Sequence, residues 1–188
     1  MTFEQIDYMT KSGMLFLDKK RKKSHFGAAN ILKQAAFVPV VLFFVFINKD
    51  GTHKLGTLIS VCTTMTAVFL VASYFMYKSQ QNKLQLISFD TGISQIDNYV
   101  LTKKTIETLQ WTMAQDTTNF IEAYNPHRDI RTWGNEMISL ILLDKKILLN
   151  SICNLDGPMQ AFAFGKNEEN IEKFISCFHT NSAKMNSA

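Results

Sequence analysis

Two apolar blocks break an otherwise mixed pattern of hydrophobic and polar residues. Leu55–Tyr77 (LGTLISVCTTMTAVFLVASYFMY) carries no charge. As a helix it is about 34 Å long, enough to cross a hydrocarbon core of about 30 Å. A second block, Ala35–Ile47 (AAFVPVVLFFVFI), precedes it across the polar stretch Asn48–Lys54, which contains the turn pair Asp50-Gly51. The pattern predicts a two-helix transmembrane hairpin over 28–77. Pro39 sits within the first helix and predicts a kink, which membrane helices tolerate. Lys33 lies near the start of that helix, where its amine can reach back to the headgroups. The second helix is rich in small hydroxyls (Thr57, Ser60, Thr63, Thr64, Thr66, Ser73), read here as packing against the first. A transport path would need ionisable groups in the spans, and Lys33 is the single candidate. The first apolar block begins more than thirty residues into the chain with no small-residue cleavage site after it, so a cleaved leader is not expected.

Beyond the hairpin the period shortens. Leu84–Phe89 is a candidate strand or simply the join, with Asp90 or Thr91 as a helix cap. Within 93–109, Ile96, Tyr99, Ile106 and Leu109 follow helical spacing and predict a helix with those residues inward. Residues 111–124 alternate around a Thr-Thr-Asn turn and predict a hairpin. Met137–Leu143, the turn Asp144-Lys145-Lys146 and Ile147–Asn154 predict a second hairpin, and Met159–Phe164 reads as a further strand. A last helix begins near Asn167, with Glu168 and Glu169 in its first turn and Ile171, Phe174, Ile175 and Phe178 on one face. The expected domain over 84–179 is therefore α+β. It runs helix, antiparallel meander of four or five strands, C-terminal helix, with both helices on one face of the sheet. Residues 180–188 are expected to be a disordered tail.

Before the hairpin, residues 1–27 combine an amphipathic stretch with the run Lys19, Lys20, Arg21, Lys22, Lys23. The amphipathic part suits either the membrane interface or a place on the soluble domain. The run suits anionic lipid headgroups and also marks the cytoplasmic flank of a first span.

Charge sharpens this division. Residues 1–83 hold eleven Lys/Arg against four Asp/Glu, and residues 84–188 nine against twelve. The overall +4 is thus a property of the membrane-proximal part, and no nucleic-acid partner is expected. The positive bias before the first span, with Lys78 and Lys83 after the second, places both termini in the cytoplasm of a bacterial inner-membrane protein. Cys62, Cys153 and Cys177 form no CxxC and keep no metal-ligand spacing with the histidines, so neither a metal nor a cofactor is expected.

Three segments stand out: Thr132-Trp133-Gly134-Asn135-Glu136, ILLNSICN (147–154) and FGKNEENIEKF (164–174). Together they resemble a recurrent α+β domain of small bacterial membrane proteins, over roughly Trp111 to Phe178. Asn135-Glu136 stands where that pattern has a Glu directly after the Gly. The resemblance implies a membrane-associated α+β domain and no activity. The pleckstrin-homology-like domains that follow paired membrane helices have a similar order of strands and C-terminal helix. A helix before the first strand and too few strands count against them.

Candidate chemistry is sparse. Arg128, Arg131, Trp133, Glu136, Asn150 and Asn154 can cluster along one sheet edge, where an Arg–Glu pair, an amide and an indole suit an anionic group or a peptide. The alternative is structural: Trp133 packs under the loop, Gly134 permits a bulge and Glu136 forms a rim pair. Ser151 and Cys153 lie mid-strand and His127 in a loop, with nothing to tie them into a nucleophile and base. The expectation is a non-enzymatic membrane protein displaying an interaction or regulatory domain, with a protein partner or a second copy of itself. The alternative is a module that binds the lipid surface.

Overall fold

The computed structural model describes residues 1–50, 55–126, 136–153 and 166–186. The chain runs through five helices, α1 (Phe3–Ser12), α2 (Lys19–His25), α3 (Gly27–Ala35), α4 (Val38–Asp50) and α5 (Leu55–Asn82). A sheet domain follows in the order β1 (Ile87–Asp90), α6 (Gln95–Thr108), β2 (Thr112–Thr117), β3 (Phe120–Asn125), β4 (Glu136–Leu143), β5 (Lys146–Cys153) and α7 (Lys166–Asn186).

The structure holds two helical stretches long and apolar enough to cross a membrane, Gly27–Val45 and Leu55–Asn82. The first is interrupted. Proline lacks an amide hydrogen and disfavours helix in the residue before it, so the chain turns at Ala36–Phe37 and resumes with Pro39 in the first turn of α4. The kink expected at Pro39 is thus a break just ahead of it. The two stretches run antiparallel: Ser73 Oγ donates to the Ala29 carbonyl at 2.9 Å and Thr66 Oγ1 to the Ala36 carbonyl at 3.4 Å. Of the six hydroxyls assigned to this contact, those two reach across. Thr57, Ser60, Thr63 and Thr64 are exposed, and Thr64 bonds back to Ser60 within its own helix.

All five strands are antiparallel, in the order β1-β5-β4-β3-β2. The meander expected from the sequence is β2–β5. The fifth strand is β1, which precedes α6 rather than following it and pairs with β5 at the far edge. The β4–β5 turn is Asp144–Lys145, with Lys145 at φ 62°, and its backbone bonds to Thr91, Gly92 and Ile93. The expected strand Met159–Phe164 lies outside the described residues.

Period-2 alternation sends two sets of side chains to the two faces. Ile121, Ala123, Ile138, Leu140, Leu142, Ile147 and Leu149 pack against α6 and α7, through Leu101, Ile106, Phe174 and Phe178. Phe120, Met137, Ile141, Leu148 and Ile152 pack instead against Met9, Leu15, Leu17, Phe26 and Leu84. The amphipathic N-terminal stretch therefore covers the second face of the sheet. Gly13 ends α1 in the left-handed region, at φ 66°, and frees the chain to turn into a short ladder, Leu15 N–H to Leu84 O and Leu86 N–H to Gly13 O.

Two helical expectations are corrected. The buried side of α6 is Asn98, Leu101, Thr102, Thr105 and Ile106; Ile106 lies inward as expected and Tyr99 and Leu109 pack at the margin of the core, but Ile96 is 74% exposed. Residues 180–186 of the expected disordered tail are helical instead: α7 continues to Asn186, and buried Asn181 donates to Thr105 Oγ1 at 3.3 Å and Thr108 Oγ1 at 3.4 Å. A hydrogen-bonding amide, in place of an apolar side chain, holds the last turns against α6. Asn181→Ala is expected to lower stability by about 1–3 kcal/mol by orphaning those buried groups. Thermal unfolding in detergent measures this, and an unchanged midpoint would show that the contact contributes nothing.

Candidate functional site

The apolar hairpin meets the sheet on the face covered by the N-terminal segment, and polar side chains make that junction. Three of them share one cross-strand row: Glu122 on β3 faces Ser139 on β4, which faces Asn150 on β5. All three are at least 97% buried.

Glu122 holds Arg21. The guanidinium meets both carboxylate oxygens, Nη1 to Oε2 at 2.8 Å and Nη2 to Oε1 at 2.9 Å, and the Tyr124 hydroxyl donates to Oε1 at 3.1 Å. Such a fork fixes orientation as well as charge. Asn150 holds the other strand of chain entering the domain: its Nδ2 donates to the Lys83 carbonyl at 2.9 Å and to the Gln85 carbonyl at 2.7 Å. Asp18 caps α2 by accepting from the Arg21 amide, so the same arginine is fixed at backbone and side chain.

One turn further on, His25 and Phe26 meet the end of α5. His25 Nε2–H donates to the Gln80 carbonyl at 2.8 Å, and Phe26 stacks on Tyr77 at 4.6 Å between centroids. Burial pushes the His25 pKa down; the carbonyl bond opposes this, and Lys83 adds to the lowering. A depressed histidine favours the neutral form in the fold, so its contribution is complete above the unfolded value near 6.5. It is lost as pH falls through the lower folded value. Stability in detergent is expected to decline as pH is lowered below about 6.5, and the decline should be absent in His25→Gln. Equal pH profiles for the two proteins would exclude His25 as its source.

The opposite face carries a second polar row at its end, Asn125–Glu136–Cys153, in register across β3, β4 and β5. Beneath the first turns of α7 a buried chain links Asn125 Nδ2 to Asn170 Oδ1 at 3.0 Å, Asn170 Nδ2 to Ser151 Oγ at 3.3 Å and Ser151 Oγ to Asn167 Oδ1 at 3.5 Å. Burial raises the Cys153 thiol pKa, and the Glu136 carboxylate raises it further. Such a thiol stays protonated and is a poor nucleophile. Among the described residues no three His, Cys, Asp or Glu side chains are grouped to hold a metal ion.

The residues proposed as one cluster are therefore divided. Glu136 and Asn150 are both buried but point to opposite faces of the sheet, Glu136 beside Cys153 and Asn150 towards Lys83 and Gln85. Arg128, Arg131 and Trp133, with Asn154, lie outside the described residues. The basic run is divided too. Lys19, Lys20, Lys22 and Lys23 are exposed, whereas Arg21 turns inward to Glu122, so it is not a lipid-facing charge. The residue that discloses this is Glu122, an acid in the middle of the otherwise core-forming strand FIEAYN.

No protein-family model matches this chain, and no curated protein matches it.

Proposed function

We propose that this is an integral membrane protein whose α3–α5 hairpin anchors a non-catalytic interaction or regulatory domain on the cytoplasmic side of a bacterial inner membrane. The observation that carries the reading is the junction itself. Arg21–Glu122 and Asn150 with Lys83 and Gln85 tie both ends of the hairpin to the sheet domain, and His25–Gln80 ties the two ends to each other. The sheet is thus a fixed extension of the helices rather than a domain on a loose linker. A contact made on the domain is then felt at the hairpin, which suits a regulatory or scaffolding role.

The helices themselves support the membrane anchor. Phe44, Val68 and Phe75 are each more than 60% exposed, an apolar surface that water does not tolerate at this density. Lys19, Lys20, Lys22, Lys23 and Lys78 gather at the domain end of the hairpin, as the positive-inside bias requires for a cytoplasmic domain. The protonated Cys153 favours a non-catalytic reading of the sheet end.

In-cell cross-linking of the full-length protein against a truncation ending at Lys83 tests this proposal. Carbonate-resistant membrane association, with protein partners present only for the full-length chain, is the expected result. Release by carbonate would remove the anchor. Self-contacts and lipids alone in both samples would favour the second reading, a lipid-surface or homo-oligomeric role. The outward display of Lys19, Lys20, Lys22 and Lys23 gives that reading its support.

A further inference from the structure

The charge-free run of α5 ends at Tyr77, so Lys78 is the first charged residue beyond it. With the hairpin in a bilayer, Lys78 stands where the headgroup layer begins. Phe75, Lys78, Ser79 and Asn82, at spacings i, i+3, i+4 and i+7, form one exposed stripe along the end of that helix. The stripe lines an open groove of about 460 Å³, which Lys83 and Glu168, from the first turn of α7, complete. That is within the range of small-molecule sites. The groove holds opposite charges that stay apart: among the described residues no ion pair joins Glu168 to either lysine. Lys83 lies near His25 and Cys153, but a neutral imidazole and a protonated thiol offer it no counter-charge. A gap between separated opposite charges is matched by a zwitterion, which brings an anion to the lysines and a cation to the carboxylate together. Phe75, 64% exposed, lies one turn back into the apolar run and sets hydrocarbon beside the polar gap.

We propose that this groove holds one zwitterionic phospholipid with a primary ammonium headgroup, phosphatidylethanolamine. Its phosphate meets Lys78 and Lys83, its ammonium meets Glu168, and the start of an acyl chain lies along Phe75. The site rests on the membrane anchor proposed above. Its chemistry selects among headgroups. Anionic phosphatidylglycerol satisfies the lysines but leaves Glu168 without a cation. The choline of phosphatidylcholine is positive yet has no N–H to donate, and its methyl groups hold the nitrogen away from a carboxylate. Ser79 and Asn82 supply further donors and acceptors for the phosphate and glycerol oxygens. One lipid so held bridges the hairpin and the last helix of the sheet domain.

The test uses the full-length protein in nanodiscs of phosphatidylethanolamine, phosphatidylcholine and phosphatidylglycerol in equal parts, with retained lipid read by native mass spectrometry after gentle release. One phosphatidylethanolamine is expected to persist in preference to both others. Glu168→Gln should cut its preference over phosphatidylglycerol roughly fivefold, and Lys78→Gln should cut its retention by a similar factor. Glu172→Gln, exposed on the same helix but outside the groove, should leave the preference at the parent value. Lys78→Arg should retain the lipid, which separates loss of the charge from loss of folding. An excess of soluble glycerophosphoethanolamine should not displace it, since that molecule lacks the chain that Phe75 meets. Equal losses from Glu168→Gln and Glu172→Gln would overturn the site and leave only a diffuse charged surface. Displacement by the soluble headgroup, or preferential retention of phosphatidylglycerol, would also overturn it. Release of the protein from carbonate-washed membranes would overturn the anchor and the site together, whereas firm embedding without headgroup preference overturns the site alone.

Discussion

Glu122→Leu is expected to destabilise the protein by about 3 kcal/mol, measured by denaturant unfolding in detergent. Removing one member of a buried ion pair leaves the other charge without its partner, a loss of about 3–5 kcal/mol. The lower end applies because Arg21 keeps 19% of its side chain exposed and recovers some hydration. Its effect should also be local. Without the carboxylate, α2 loses its fork to the sheet, and trypsin should cleave within Lys19–Lys23 well before the rest of the chain opens. The double variant Arg21→Met with Glu122→Leu removes both charges and should return stability close to that of the parent, because burying a pair is itself expensive. A single variant within about 0.5 kcal/mol of the parent would mean that the fork contributes orientation without net stability.

A fragment beginning at residue 84 is expected not to form a native sheet. Its boundary is the natural one from sequence, since hydropathy changes there. Yet the fragment lacks Met9, Leu15, Leu17 and Phe26, which are at least 91% buried against Phe120, Met137, Ile141, Leu148 and Ile152. Loss of large buried side chains amounts to about 2–5 kcal/mol each, so four of them exceed the 5–15 kcal/mol margin of a typical domain or consume most of it. The fragment should bind hydrophobic dye and give poorly dispersed amide resonances. Adding residues 1–26 as a separate peptide should restore dispersion. A well-dispersed spectrum from the fragment alone would show that the second face needs no cover.

Much of this architecture was legible because its periods are clean. The uncharged run at 55–77, the alternation on either side of Thr118-Asn119 and the apolar face of the last helix each carry their own geometry. The misreadings came where polar residues perform packing. α6 buries Asn98, whose Nδ2 donates to the Leu143 carbonyl, and Thr105, which meets Asn181, so apolar spacing found Ile106 but added Ile96 to a face that polar residues complete. The polar tail hid the last turns of α7 for the same reason. Among the candidate residues, strand parity already separates Glu136 from Asn150 once Glu136↔Cys153 and Ser139↔Asn150 are paired, but register is a tertiary fact that one strand cannot disclose. Arg21 was hidden among four lysines. Its partner lies 101 residues away, and composition could not distinguish it from its neighbours.

That separation has a consequence in time. At about 5–20 residues per second, Glu122 leaves the ribosome some 5–20 s after Arg21, and the strands that cover Met9 and Leu15 follow later still. During that interval both apolar helices are made, while the N-terminal segment has no sheet to lie on. Its amphipathic stretch and exposed lysines suit a temporary berth in the headgroup layer beside the newly inserted hairpin. With the hairpin in a bilayer, as proposed, assembly of the domain would lift this segment from lipid to protein, and the bilayer would be a holding surface for the first residues of the chain until the last strands arrive.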